Sequence, residues 1–90
     1  MKNIINKIIE FLVEGFGGIK LENIIIPKNF KMPNEEKLAA KKTFYIMNGY
    51  FYDNIILDEH NKLIDGYTTY LIAKKYGFKY IGVTRVKLKN

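Results

Sequence analysis

The residues best suited to binding a ligand are Asp65-Gly66-Tyr67-Thr68-Thr69, where a short apolar run is followed by a helical pattern. The start of a helix leaves backbone N–H groups without intrahelical partners and carries a partial positive charge. Gly66 allows close approach to the backbone, and Thr68 and Thr69 add hydroxyl donors. The junction therefore predicts a cradle for a phosphate or carboxylate group.

A second interpretation of this junction makes Asp65 the N-cap of the helix. Its carboxylate would then accept hydrogen bonds from the first amides and occupy the position that an external anion would take. The residue types allow both arrangements. They differ in where the Asp65 side chain lies relative to the amides that follow it.

Lysine supplies most of the charge that would attract an anion. The 90-residue chain has 15 Lys and Arg against 9 Asp and Glu, which gives a formal net charge of +6, and Arg85 is its only arginine. This balance favours a polyanionic partner, although a solvated lysine surface explains the composition equally well, because arginine is preferred for bidentate phosphate contacts. Lys37 and Lys41 share one side of a helix predicted after Pro33 and are the lysines that we assign to the phosphate site.

Several kinds of chemistry are not expected from this sequence. The chain has no cysteine, so disulfides, thiolate catalysis and cysteine metal sites are excluded. The acids around the predicted hairpin, Asp53, Asp58, Glu59 and Asp65, are typical of turns and caps rather than of a metal site. His60 lies in the turn and is interpreted as a surface residue. We predict no catalytic residue, no metal and no cofactor.

Nothing in the sequence indicates a membrane segment. Apolar runs are at most about five residues long, whereas a helix needs ~20 to span a bilayer. The N-terminus lacks the unbroken apolar region of a signal peptide. We expect a cytoplasmic protein that makes no membrane contact.

Hydrophobic periodicity predicts seven elements in the order αβαββαβ, which indicates one α+β domain with a small mixed β-sheet and packed helices. Residues 1–18 would be an added amphipathic helix and Gly-rich hinge, with a surface for homodimer formation, and residues 19–86 would be the core. The predicted helices cover residues 2–14, 35–48 and 67–76, and the predicted strands cover 19–26, 53–58, 63–64 and 79–86. Residues 68–86 also resemble the opening of a helix-turn-helix unit, but the alternation after Gly77 favours a strand.

The aromatic residues allow two interpretations. Tyr45, Tyr50, Phe51 and Tyr52 follow Lys41 and Lys42 closely in the sequence. They could stack on bases over a basic groove. In a domain of this size, aromatic side chains also commonly form the core.

Residues 57–86, LDEHNKLIDGYTTYLIAKKYGFKYIGVTRV, resemble the ParB/sulfiredoxin superfamily. In that superfamily a strand, a turn, a short strand ending in glycine, a helix and a final strand follow one another. Residues 21–33, LENIIIPKNFKMP, are similar to its first strand and proline-bearing loop. The resemblance extends over about residues 19–86 and implies a ParB/sulfiredoxin-like fold.

The resemblance also implies a phosphate site at the junction, in a degenerate form. ParB proteins hold a nucleoside triphosphate with arginines after the glycine, and sulfiredoxins place a catalytic Cys, a His and an Arg there. In this chain Tyr67 takes the cysteine position, so sulfiredoxin chemistry is not expected. Thr68 and Thr69 replace the arginines, so they would hydrogen-bond a phosphate without neutralising its charge. Lys37 stands where sulfiredoxins have a phosphate-contacting lysine.

We therefore predict a non-catalytic ParB-like module that contacts nucleic acid or nucleotide phosphates. The assigned residues are Gly66, Tyr67, Thr68, Thr69, Lys37 and Lys41. Two other functions stay open. One is a small phage or mobile-element protein that inhibits a host defence nuclease through protein–protein contact, in the manner of an anti-CRISPR protein. The other is a ParB-like nuclease or nucleotidase.

Overall fold

The computed structural model describes the backbone of residues 8–88 and the side chains of residues 18–87. One mixed sheet has the strand order β1-β4-β2-β3, in which β2 runs parallel to β4 and the other pairs are antiparallel. The predicted α+β class is thus confirmed. The elements are β1 (Ile8–Lys20), a 3₁₀ turn (Leu21–Asn23), α1 (Glu35–Asn48), β2 (Ile56–Leu57), β3 (Leu63–Asp65), α2 (Tyr67–Lys75) and β4 (Tyr80–Leu88).

The N-terminal segment differs from the prediction. Residues 8–18 are not a helix and hinge but belong to β1, which pairs with β4 until Lys20 lies opposite Tyr80. Isoleucine, valine and phenylalanine favour strands, and the local spacing that indicated a helix carries no information about a partner strand distant in sequence. Residues 2–7, the remainder of the predicted helix and of its dimer surface, lie outside the described residues.

The glycine-rich stretch Gly15-Phe16-Gly17-Gly18 interrupts β1 without ending it. The register with β4 shifts between Glu14 and Ile19, so the extra residues form a bulge. Gly18 has φ 54°, and a Cβ there would lie 2.1 Å from the carbonyl oxygen of Ile81. The observed element order is therefore βαββαβ, in place of αβαββαβ.

The strand predicted over residues 19–26 is also wrong in extent. It ends at Lys20 and gives way to the 3₁₀ turn, after which Ile25 forms an isolated parallel bridge with Lys62. The Ile25 amide donates to the Asn61 carbonyl and its carbonyl accepts from the Leu63 amide, both at 2.8 Å. This bridge leads the chain into the loop before α1.

The predicted bounds of α1 are confirmed by its caps. Asn34 Oδ1 accepts a hydrogen bond of 2.7 Å from the Lys37 amide, and the helix ends at Gly49 in the left-handed conformation. No residue of α1 is buried, whereas Ile72 and Ala73 of α2 are. The first helix is therefore peripheral, and α2 is the helix that is anchored in the core.

The core lies between the sheet and α2. Its largest fully buried side chains are Ile55, Leu57, Leu63 and Ile72, and burying each one stabilises the fold by about 1.5–3 kcal/mol. Residues 55–57 come immediately before the hairpin that leads to α2, so the core fixes the position of the helix start. Neither helix within residues 8–88 is long and apolar enough to cross a membrane.

Candidate phosphate-binding site

Gly66 connects β3 to α2 and has φ 95°. A Cβ at this position would lie 2.4 Å from the carbonyl oxygen of Asn54 and 2.8 Å from the Cα of Ile55. Both contacts are with backbone atoms. Glycine is therefore required because the chain itself approaches Gly66 here, on the side that faces residues 54–55.

The amides at the start of α2 are not capped by a side chain. Gly66 is itself the N-cap, and Asp65 Oδ1 accepts only from the Gly66 N–H, at 2.8 Å. The interpretation of Asp65 as the N-cap is therefore wrong. The first intrahelical bond runs from the Tyr70 amide to the Gly66 carbonyl, at 3.0 Å, so the amides of Tyr67, Thr68 and Thr69 precede it.

The start of α2 opens into a cavity of about 170 Å³. Four parts of the chain form its walls: the loop before α1, the first turn of α1, the segment before β2, and the junction of β3 with α2. Four of the six residues assigned to the site from the sequence meet here, namely Gly66, Tyr67, Thr68 and Lys37. The other lining residues are Phe30, Lys31, Pro33, Asp53 and Asp65.

The remaining two assigned residues, Thr69 and Lys41, do not line the cavity. The Thr69 hydroxyl donates to the Asp53 carbonyl at 2.9 Å. The Lys41 ammonium forms an ion pair with the Asp53 carboxylate and lies 4.3 Å from the centroid of the Tyr52 ring. Both residues thus hold Asp53 in place, and Lys41 offsets its charge.

Five lining residues were not assigned to the site from the sequence, namely Phe30, Lys31, Pro33, Asp53 and Asp65. The ring centroids of Phe30 and Tyr67 are 5.5 Å apart, which ties the loop to the start of α2. The resemblance of the proline-bearing loop to the ParB family was the signal that could have placed Phe30 and Lys31 beside the junction. Asp53 had no such signal, because an acid before a strand is common in turns.

The charges around the cavity favour an anion only slightly. Two carboxylates line it, but Lys41 offsets Asp53, and Asp65 accepts from the Gly66 amide. Lys31 and Lys37 are exposed, and within residues 18–87 neither takes part in an ion pair. Together with the helix dipole they provide the positive potential of the site.

The acidic residues of the hairpin stabilise its turn. Asp58 Oδ1 accepts from the amides of His60 and Lys62 at 2.7 and 2.9 Å, and Arg85 donates to the Asp58 carbonyl at 3.0 Å. The His60 side chain is exposed, as predicted. No group of three or more His, Asp or Glu side chains in the described part of the chain is arranged to hold a metal ion.

The aromatic residues divide between the two interpretations given above. Tyr45 and Phe51 stack on each other, with ring centroids 4.4 Å apart, and both are half-buried. Tyr50 and Tyr52 are exposed on the surface, with Phe44 packed edge-on against both rings.

Comparison with solved structures identifies the fold. The pNOB8-like ParB N-domain superimposes with a TM-score of 0.71 at 24% identity, over 89% of this chain and 29% of that one. A C2221 form of the Pnob8-like ParB-N domain gives a TM-score of 0.61 at 25% identity, over 90% of this chain and 30% of that one. The chain has a ParB N-domain-like fold.

This result confirms the ParB resemblance at the level of the fold. The match covers 90% of the chain, which is a longer stretch than residues 19–86. It therefore extends into the part of β1 that precedes Ile19. The chain spans about 30% of the length of the ParB chains that it matches. No family model matches it, and no curated protein sequence does.

Proposed function

We propose that this ParB N-domain-like chain is a non-catalytic binding module that holds a phosphate group at the start of α2. The supporting observation is the cavity that joins Lys31 and Lys37 to Gly66, Tyr67 and Thr68. Nucleic acid is the first candidate as the source of the phosphate, and a nucleotide is the second.

The proposed contacts combine neutral donors with nearby lysines. The amides at the helix start and the Thr68 hydroxyl would donate to the phosphate oxygens, and Lys31 and Lys37 would attract it from the cavity mouth. Hydrogen bonds from neutral donors are about half as strong as those from charged ones. Much of the affinity should therefore come from the lysines and fall as salt rises.

The size of the cavity favours a phosphate that belongs to a longer molecule. Sites that enclose a drug-sized ligand are about 300–1,000 Å³, whereas this cavity is about 170 Å³. It has room for a phosphoryl group, while a sugar and base would lie outside. A nucleic acid strand, in which one phosphate is gripped and its neighbours meet surface lysines, fits this arrangement best.

The test compares Lys37→Gln with Lys42→Gln, because both change the same charge on α1. Lys42 lines a different cavity, against Leu71 and Ile72. Binding of fluorescein-labelled DNA, and separately of ATP and CTP, is measured over a range of salt concentrations. We expect Lys37→Gln to reduce the salt slope for DNA by about one and Lys42→Gln to change it less. Equal losses in the two variants would refute the site.

Thr68→Val tests the neutral donors without changing charge. Thr68 is buried, and valine keeps its shape while removing the hydroxyl. Losing one such hydrogen bond costs about 0.5–1.5 kcal/mol, so the dissociation constant for DNA should rise roughly 2- to 13-fold. Unchanged affinity in a folded Thr68→Val variant would show that the cavity does not grip the phosphate.

A protein partner is the second candidate function. Ile46, Met47, Tyr50 and Tyr52 are all exposed around the end of α1, and Met47 is 78% exposed. A concentration of exposed apolar side chains often marks a protein-interaction surface. An inhibitor of a defence nuclease would use such a surface. Loss of partner capture in Met47→Glu, with retention in Lys37→Gln, would support this function.

A further inference from the structure

A second cavity of about 510 Å³ lies toward the other end of α2. It is roughly three times the volume of the phosphate cavity, and it shares no lining residue with it. Its walls come from the end of β1 and the 3₁₀ turn, from α2, and from the segment that leads into β4. The lining residues are Lys20, Leu21, Glu22, Tyr70, Lys74, Phe78, Lys79 and Tyr80; we call this the aromatic-basic cleft.

Backbone geometry brings the walls of the aromatic-basic cleft together. Lys20 and Tyr80 are opposite each other in the β1–β4 ladder, and such cross-strand neighbours have Cβ atoms about 4.5–5.5 Å apart. The Leu21 amide donates to the Lys79 carbonyl at 3.0 Å. The cleft is therefore built by regular pairing and is not an accident of side-chain placement.

The end of α2 completes the cleft through a Schellman motif. The Gly77 amide donates to the Lys74 carbonyl at 3.1 Å, and the Phe78 amide to the Ala73 carbonyl at 3.0 Å. This turn carries the chain directly from the helix into β4. As a result, Phe78 and Lys79 lie beside the last turn of α2.

The charge of the aromatic-basic cleft is positive. Its three lysines and one glutamate give a formal charge of +2, and within the described residues none of the four side chains is in an ion pair. Lys41, by contrast, is neutralised by Asp53. The Lys74 ammonium lies 5.9 Å from the centroid of the Tyr70 ring, so charge and aromatic surface are adjacent.

The aromatic surface continues beyond this cleft. Tyr80 is 51% exposed. Phe78 and Tyr80 also line a neighbouring cavity of about 540 Å³, together with Tyr45 and Tyr50. Phe78 and Tyr80 thus line both cavities, and the aromatic surface is long enough for more than one base.

We infer that the aromatic-basic cleft binds single-stranded nucleic acid. A base would stack on the exposed ring of Tyr80, and the backbone phosphates would lie near Lys20, Lys74 and Lys79. The Tyr70 ring, which stacks on Tyr67 and packs against the core, forms the floor of the cleft. Duplex DNA does not fit this chemistry, because its base faces are covered by neighbouring bases. An acidic protein would use the charges but not the rings, and a free nucleotide would not need the second cavity. The cleft is separate from the proposed phosphate site and does not depend on it.

Tyr80→Trp gives a direct test, because the chain contains no tryptophan. The indole would be the only one in the protein, and stacking on a base should quench its fluorescence. The probe is a thymine homopolymer, which has little structure of its own. Tyr76→Trp is the matched control, since Tyr76 is 42% exposed but does not line the cleft. We expect saturable quenching at position 80 and little at position 76.

Two further variants test the rings and the charges separately. Tyr80→Leu should weaken binding of the same probe by about 5- to 150-fold, the range for losing one stacked base. Lys79→Gln should reduce the salt slope by about 0.7, the value for one phosphate on a single strand. Circular dichroism establishes that each variant is folded.

The result is distinguishable from a failure of the phosphate site. If the cleft acts on its own, Lys37→Gln should leave the quenching at position 80 unchanged. Equal quenching at positions 76 and 80, equal affinity for duplex and single-stranded DNA, or full displacement of the probe by either poly-glutamate or free TMP at comparable concentration would overturn the inference.

Discussion

Replacing Gly66 with alanine should destabilise the protein more than the same change at two other glycines with similar backbone conformation. Gly49, Gly66 and Gly77 have φ values of 81°, 95° and 79°. A Cβ at Gly49 or Gly77 would meet nothing within 4 Å, whereas at Gly66 it would lie 2.4 Å from the Asn54 carbonyl oxygen. The two control sites therefore measure conformational strain alone, and Gly66 adds a steric clash.

The size of the difference follows from these geometries. A left-handed conformation costs a residue with a side chain about 1–2 kcal/mol, and alanine recovers about 0.4–1 kcal/mol by restricting the unfolded chain. The controls should thus lose about 1 kcal/mol. At Gly66 the clash is with backbone that cannot rotate away, and overpacking of this kind costs about 1–3 kcal/mol more.

The segment that would have to move is held firmly. The Thr84 amide donates to the Ile55 carbonyl at 2.9 Å, and the Thr69 hydroxyl donates to the Asp53 carbonyl at 2.9 Å. The side chain of Ile55 is among the most buried in the protein. Relief of the clash by displacement would therefore weaken the β2–β4 pairing and the core together.

Urea unfolding followed by far-UV circular dichroism measures this difference. For a domain of this size the dependence of stability on urea is about 1–1.5 kcal/mol per M. The midpoint of Gly66→Ala should therefore lie about 0.7–3 M below those of Gly49→Ala and Gly77→Ala. If all three midpoints agree within error, the close approach at Gly66 is not a real constraint on the fold.

Four further outcomes are expected. Leu57→Ala should lower the unfolding free energy by about 2–5 kcal/mol, because Leu57 is fully buried, and Asn34→Ala by about 0.5–2 kcal/mol, because it removes the α1 cap; urea titrations measure both. Asp53→Asn should tighten DNA binding at low salt, since it removes an acid from the cavity and frees Lys41; weaker binding would contradict this. Deleting residues 1–17 should leave one edge of β4 unpaired and promote aggregation, which size-exclusion chromatography detects; the same oligomeric state as that of the full chain would contradict the pairing.

Local signals were sufficient where an element is defined by its own caps and turns. Asn34 and Gly49 bound α1, and Gly66 and Gly77 bound α2, as their residue types predict. The helix-turn-helix alternative was rejected for the same kind of reason, because Tyr80–Leu88 alternates as a strand and is one. The start and end of such an element can be predicted from a few neighbouring residues.

Local signals failed where a partner distant in sequence decides the structure. Residues 8–14 have both helical spacing and strand-forming residue types, and only pairing with β4 selects the strand. The segment Gly15-Phe16-Gly17-Gly18 indicates a hinge after a helix when only the sequence is known, because a bulge is recognisable only once the neighbouring strand is known. The spacing of apolar residues indicates which side of an element is buried. The topology of the sheet decides which other element packs against that side.

The candidate site was predictable in part for the same reason. The start of α2 is a local feature, so the sequence is enough to place Gly66, Tyr67 and Thr68 together, and the family resemblance adds Lys37. In the structure these four residues line one cavity. Thr69 is predicted at the site because it follows Thr68, and Lys41 because it shares one side of the helix with Lys37. In the structure each is turned toward Asp53 instead. Thr69 is one residue after Thr68, which moves its side chain about 100° around α2, and Lys41 lies one turn, about 5.4 Å, farther along α1 than Lys37 on the same face.

The structural role of Gly66 changes how the ParB-like motif should be interpreted. Since the backbone of residues 54–55 requires glycine there with or without a ligand, its presence supports the fold and says nothing about binding. The observation that does bear on binding is the convergence of Lys31 and Lys37, which the core does not need because both are exposed. A double Lys31→Gln and Lys37→Gln variant should therefore keep its urea midpoint while losing phosphate-dependent affinity. If it keeps both, the cavity is a by-product of the fold.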